Sequence, residues 1–289
     1  MVLFGPSGNS ESFYEQGFKK SVEMPGWLNA MGLDAYEYSC TKGVKLKKET
    51  AVELKNEAEK NNIVLSVHSP YYINLATDDN EKRIKSINYI IDTAAIADTM
   101  GAKRVVVHSG SCSKMERESA LSFAKKTLTL ALKELDALGL GHVHICPETM
   151  GKINQLGTLD EVLELCKLDE RLIPTIDFGH LYARTFGGLK TKADFEEIFD
   201  KIENELGTYR LKNFHSHFSR IEYTNPGGEK RHTIFDDTLW GPEFDYCGEL
   251  IYKKNLSPII ICESAGTMAE DALKMKNYYL NLANQKRRG

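Results

Sequence analysis

Ile63-Val64-Leu65-Ser66-Val67-His68-Ser69-Pro70 and Arg104-Val105-Val106-Val107-His108-Ser109-Gly110 share one pattern: an apolar, β-branched run that ends on histidine and breaks at small or turn-forming residues. Short runs of this kind, bounded by turn signals, read as buried strands. Between them, residues 81–100 carry apolar side chains at three- and four-residue intervals, the spacing of an amphipathic helix. Outward from this unit the alternation continues both ways. Strands are expected at residues 2–4, 35–38, 63–67, 104–107, 143–145, 173–176, 211–214 and 258–261, and helices at 48–60, 81–100, 116–138, 158–167, 193–206, 244–254 and 268–283. Gly101, Gly139 and Gly207 stand just past helical runs, where a left-handed C-cap needs glycine. Eight strands alternating with helices predict a (β/α)8 barrel with a parallel sheet, and the length predicts a single domain over residues 1–289. One long stretch, residues 219–242, lacks regular pattern and contains the turn-forming Asn225-Pro226-Gly227-Gly228. A loop of that length inside a compact domain is usually functional.

Composition narrows the function. A net charge of −4 and a pI near 6.1 exclude a protein that coats nucleic acid by bulk positive charge, so any nucleic-acid site must be local. Bound divalent cations would offset that deficit where it matters. The six cysteines form no CxxC pair, which argues for reduced thiols rather than a zinc ribbon or a disulfide framework. The first strand-turn, Phe4-Gly5-Pro6-Ser7-Gly8-Asn9-Ser10, is not a dinucleotide fingerprint and no P-loop occurs, so no nucleotide cofactor is expected. With no long apolar run, the expectation is a soluble, cytoplasmic monomer with no membrane partner.

The chemistry gathers at strand ends. His68 and His108 close the third and fourth strands, Glu148 follows the fifth, Asp177 and His180 the sixth, His215 and His217 the seventh, and Glu263 the eighth. In a parallel barrel all these ends face one mouth. Imidazole nitrogen combined with carboxylate oxygen suits zinc, manganese or iron, whereas calcium and magnesium favour oxygen alone. One histidine after a strand is usually structural, but six successive units ending on ionisable groups are hard to explain by packing. By contrast, His142 and His144, near the start of the fifth strand, read as structural, and Asp160, Glu161 and Glu164 as a solvated helix face.

In order along the chain stand His68-Ser69-Pro70-Tyr71-Tyr72-Ile73-Asn74-Leu75, His108-Ser109-Gly110-Ser111, Pro147-Glu148-Thr149-Met150-Gly151, Ile176-Asp177-Phe178-Gly179-His180 and Cys262-Glu263-Ser264. On these five motifs the chain resembles the endonuclease IV family, zinc-dependent apurinic/apyrimidinic endonucleases built on a xylose isomerase-like TIM barrel. The resemblance implies a DNA-repair hydrolase that cuts damaged double-stranded DNA on the 5′ side of an abasic sugar. It implies two or three Zn2+ ions, with Mn2+ or Fe as alternatives. Carried over, His68 and His108 would hold one zinc, Glu148 would bridge it to a second held by Asp177, His215 and Glu263, and His180 and His232 would hold the third. Glu148 and Glu263 would be the catalytic carboxylates. Tyr71 and Tyr72 stand where the family inserts bulky side chains into the duplex, and Lys152, Arg184 and Arg231 lie on loops that would meet phosphates.

Two departures bear on the site. His217 stands where the family has the polar pair after its seventh-strand histidine. Lys230-Arg231-His232 aligns with the family's Asp-Arg-His, which puts a cation where a ligand is expected and leaves Glu229, Glu222 or His217, or extra waters, to take that aspartate's place. The alternative function is a sugar isomerase or epimerase of the xylose isomerase-like class, which needs fewer ligands around one or two divalent ions.

Overall fold

The computed structural model describes residues 1–286. Eight parallel strands, β1 (Leu3–Pro6), β2 (Ala35–Ser39), β3 (Val64–His68), β4 (Arg104–His108), β5 (His144–Glu148), β6 (Thr175–Asp177), β7 (His215–Phe218) and β10 (Ile259–Cys262), form one sheet in the order β1-β10-β7-β6-β5-β4-β3-β2. A bridge between Ser7 and Glu37, with the Gly8 N–H donating to the Glu37 carbonyl at 2.9 Å, draws β1 and β2 together into a nearly closed barrel. Helices cover the outside, as parallel connections require. Two further strands, β8 (Ile221–Thr224) and β9 (Gly228–His232), make an antiparallel hairpin between β7 and β10.

Strand alternation divides the side chains into two sets. Outward residues such as Val67, Val105, Val107, Ile145, Phe214 and Ile260 pack with Leu54, Ile90, Leu128 and Phe199 of the helices in the main core. Inward residues fill the barrel itself, with Leu3, Ala35, Ile259 and Ile261 in one group and Val106, Cys146 and Ile173 in another. Further along the strands the interior turns polar, with Glu37, Ser66, His68, Glu148, Asp177, His215 and His217 all buried. Close packing extends to the backbone. A Cβ on Gly5 would lie 1.8 Å from the Ala35 carbonyl oxygen, so only glycine fits there. Gly101 and Gly139 both have φ of 73°, the left-handed C-cap conformation expected of them.

The elements match the expected alternation with the following corrections. Residues 211–214 are not the seventh strand: Thr208–Lys212 is helical and β7 begins at His215. The segment 219–242 is not uniformly irregular, since it holds the hairpin. Glu161 is buried rather than solvated; it caps its helix with Thr158 and pairs with Arg117 at 2.6 Å. Helices Glu11–Glu15 and Met24–Met31, which follow the first strand, and Phe178–Arg184, which follows the sixth, also lie outside the expected helical runs.

Candidate metal centre

The barrel mouth gathers ionisable side chains from six strands and the hairpin around a cavity of about 410 Å³. Its wall includes His68, Tyr71, His108, Lys152, His180, Glu229, His232 and Glu263, with Glu148, Asp177 and His217 buried beneath. Glu148 lies at the centre. Its Oε2 is 3.4 Å from His68 Nε2 and 3.2 Å from His108 Nε2, yet makes no hydrogen bond of acceptable geometry. Asp177 Oδ2 is likewise buried with no hydrogen bond. Atoms that bind one tetrahedral ion at about 2.0–2.1 Å stand about 3.3 Å apart, so these separations would suit ligands sharing a cation. Among the described residues four sets of donor atoms converge: Glu37, His215 and His217, deep in the barrel; His68, Glu148 and His217; Glu148, Asp177, His217 and Glu263; and His180, Glu229 and His232.

The outer nitrogens of the histidines are already engaged. His68 Nδ1 donates to the Ser69 carbonyl at 2.8 Å, His180 Nδ1 donates to the Thr149 carbonyl at 2.9 Å, and His232 Nδ1 meets Ser219 Oγ at 2.8 Å. That leaves Nε2 of each ring for the cavity, the arrangement that oriented metal-binding imidazoles share. Electrostatics point the same way. Burial opposes charge on His68, but Glu148, Glu37 and Glu263 override it and raise the ring to about 9. His180 is raised to about 9 against burial by Asp177, Glu229 and Glu148. Burial raises Asp177, and Glu263 and Glu148 add to the rise while His180 opposes it. Such a crowd of carboxylates attracts positive charge.

The seventh-strand assignment changes. His215 does not join Asp177 and Glu263; it lies one step deeper, bonded through Nε2 to Glu37 Oε2 at 2.9 Å, and burial drops it to about 4. His217 takes its place in the group, with Nδ1 2.8 Å from Glu148 Oε1 and 3.6 Å from Glu263 Oε1. The cause is the start of β7: from His215 onward the strand aims 215 and 217 inward, so 217 reaches the mouth.

The hairpin separates the candidate acids Glu229 and Glu222. Tyr223 pairs with Glu229 and Glu222 with Arg231, which leaves Lys230 as the extra residue of a β-bulge. A bulge of one residue turns Glu229 and His232 to the same side despite their three-residue separation. Glu229 Oε2 then lies 3.5 Å from His180 Nε2. Glu222 points elsewhere and pairs with Lys230 and Arg231, each at 2.6 Å. It is not part of the mouth cluster, and Arg231 is an exposed partner of Glu222.

Among the DNA-contact expectations, Tyr71 and Tyr72 are half exposed with ring centroids 4.6 Å apart, and Tyr71 and Lys152 line the cavity. Arg184 is different. Its guanidinium donates to the carbonyls of Met150, Lys152, Ile153 and Gln155, so it holds the loop after β5 from within. Sequence reading missed Glu37, a fully buried carboxylate that accepts from Ser66 Oγ, His215 and His217. Its one sequence signal is an acid between Tyr36 and Tyr38 inside an expected strand, which does not name its partners.

The family described as xylose isomerase-like TIM barrel matches residues 25–278 of the chain. An uncharacterized protein of Methanocaldococcus jannaschii is 36% identical over 280 residues, covering 96% of this chain and 97% of its own. A probable endonuclease 4 of Aster yellows witches'-broom phytoplasma is 29% identical over 189 residues, 64% of this chain and 62% of that one. Among solved structures, endonuclease IV from Thermus thermophilus superposes with a TM-score of 0.66 at 17% identity, covering 98% and 99% of the two chains. A D-tagatose 3-epimerase-like protein superposes at 0.69 and 20%, covering 99% of each. At such identities the superpositions establish the fold alone. Among the described residues, no helix is long and apolar enough to cross a membrane.

Proposed function

The chain belongs to the xylose isomerase-like TIM barrel family, and from that premise we propose that it is a metal-dependent phosphodiesterase of the endonuclease IV type, cutting damaged double-stranded DNA 5′ to abasic sites. The observation that carries this reading is the surplus of ligands. Glu148, Asp177, His217 and Glu263 would suffice for one ion, but His68 also converges with Glu148 and His217, His108 stands 3.2 Å from the same Glu148 oxygen, and His180, Glu229 and His232 form a separate set. A sugar isomerase or epimerase of this fold, working with one or two divalent ions, would need a smaller set. The orphaned oxygens of Glu148 and Asp177 support cation binding on chemical grounds. His68 and His108 would hold one ion with Glu148; Asp177, His217 and Glu263 a second; and His180, Glu229 and His232 a third. Zinc fits the mixture of nitrogen and oxygen donors, and manganese or iron would fit it too.

Bound divalent ions supply Lewis acidity and activate water near neutral pH. The remaining work falls to the chain. Glu263 reaches the cavity wall, where Glu148 is fully buried, so the Glu263 oxygen not given to an ion would take a proton from the attacking water. Attack on phosphorus breaks the bond to the leaving 3′-oxygen, which takes up a proton. Lys152 on the wall offsets charge on a phosphate, and the exposed Tyr71–Tyr72 pair offers aromatic faces to an unstacked base or sugar. The test is elemental analysis together with a nicking assay on a duplex carrying one abasic site. Two or more transition-metal ions per chain and a single cut 5′ to the lesion are expected. One ion or none, with no cut, would defeat the reading and favour an isomerase.

A further inference from the structure

Glu37 belongs to no ligand set of the proposed reaction that opens on the cavity, yet it is fully buried on β2 and touches the seventh strand twice. Its Oε1 accepts from His217 Nε2 at 2.8 Å, and its Oε2 accepts from His215 Nε2 at 2.9 Å and from Ser66 Oγ at 2.7 Å. An ionised carboxylate accepts hydrogen bonds and donates none, so both rings must present Nε2–H to it. For His217 this holds the proton on Nε2, so a cation that binds the ring must displace the other proton, the one Nδ1 donates to Glu148 Oε1. Nδ1 faces Glu148 Oε1 at 2.8 Å, Glu263 Oε1 at 3.6 Å and Asp177 Oδ2 at 4.0 Å.

We propose that Glu37 is a positioning residue that fixes the His217 ring and its tautomer, so that the Nδ1 lone pair is directed at a divalent cation shared with Glu148, Asp177 and Glu263. The proposal rests on the metal reading above. A carboxylate bonded to the outer nitrogen of a ligating imidazole fixes ring orientation and raises its basicity, and loss of such a partner typically costs about 10–100-fold in metal affinity. His215 and Ser66 complete the arrangement by occupying the second oxygen of Glu37, which stops the carboxylate from turning away. His215 Nδ1 is itself buried without a hydrogen bond, so that ring is free to change tautomer while His217 is not.

This asymmetry makes substitutions discriminating. In Glu37→Gln the amide oxygen still accepts from His217, while the amide NH2 donates to His215, whose proton moves to Nδ1. In Glu37→Leu nothing accepts from His217. The measurement is zinc affinity of the full chain by competition with a chromophoric chelator, with long-range 1H–15N correlation of the histidine rings on the zinc-loaded protein. We expect Glu37→Gln to bind within about fivefold of wild type and Glu37→Leu to lose about tenfold or more at one site. Wild type and Glu37→Gln should both show His217 protonated at Nε2. If zinc-loaded wild type shows His217 protonated at Nδ1, the proposal is overturned, and that result requires no variant to fold. Equal affinity of Glu37→Leu and wild type overturns the role of Glu37 alone. Failure of wild type to bind zinc overturns the metal reading beneath it.

Discussion

At the scale of single residues, Glu148 is the strongest case, because each of its two oxygens faces histidines from different strands. Replacing it with glutamine keeps the shape but replaces one acceptor oxygen with a donor where His68 and His108 converge. Glu148→Gln is therefore expected to lower strand cleavage by three orders of magnitude or more (~10³-fold, the scale of losing a central electrostatic group), with abasic-duplex affinity within a few-fold; cleavage near the wild-type rate would show that Glu148 has no such role. Glu229 and Glu222 form a second contrast. Glu229→Ala is expected to remove one ion per chain, and Glu222→Ala none, since Glu222 is engaged with Lys230 and Arg231. Elemental analysis of the two variants decides it, and equal ion content in both would refute the bulge argument. Most of these positions were legible as strand ends in sequence. Glu37 was not read as functional, because an acid inside a strand betrays its partner only when the partner's strand is known.

At the scale of elements, the two misreadings share a cause. Strand prediction relies on apolar residues at every second position, but β7 reads His-Ser-His-Phe: its inward positions are the ionisable residues themselves. The site erases the signal of the strand that carries it, and the more apolar 211–214 was taken instead. The hairpin fails for a related reason, since Glu222, Glu229, Lys230 and Arg231 put charge on both its faces and the bulge breaks its period. β3 and β4 were legible because Val and Leu fill their outward positions and His only their ends. Loop elements separate structural from binding cations. Arg184→Ala should destabilise the fold by about 2 kcal/mol or more, as expected when one charged group serving buried carbonyls is lost. Denaturant titration measures this, and a change within error would refute the loop-holding role. Lys152→Ala should leave stability nearly unchanged but reduce the slope of log affinity for DNA against log salt by about 1. An unaltered slope would remove Lys152 from the phosphate contacts.

At the scale of the whole molecule, the same residues that would make the site chemically capable place a strain on the barrel. Glu37, Glu148, Asp177, Glu229 and Glu263 converge within a protein whose net charge is already −4. Without cations, protonated imidazoles must balance them, which is why His68 and His180 are both raised to about 9. Ions that bind the folded state and not the unfolded chain stabilise it by about 2.7 kcal/mol each when present at about 100 times their dissociation constant. Here the proposed ligands come from β3, β4, β5, β6, β7, the segment after β10 and the hairpin, so an ion held by Glu148, Asp177, His217 and Glu263 ties together parts of the chain more than 100 residues apart, from Glu148 to Glu263. Removing it loosens most of the barrel at once and cannot be absorbed by one loop. Treatment with a strong chelator is therefore expected to move the entire thermal transition down by several degrees, with no separate early step, and restoring zinc should reverse the shift. A transition midpoint unmoved by chelator, in protein shown by elemental analysis to have lost its ions, would mean that the mouth does not couple metal to folding. The carboxylates would then be balanced by the histidines alone.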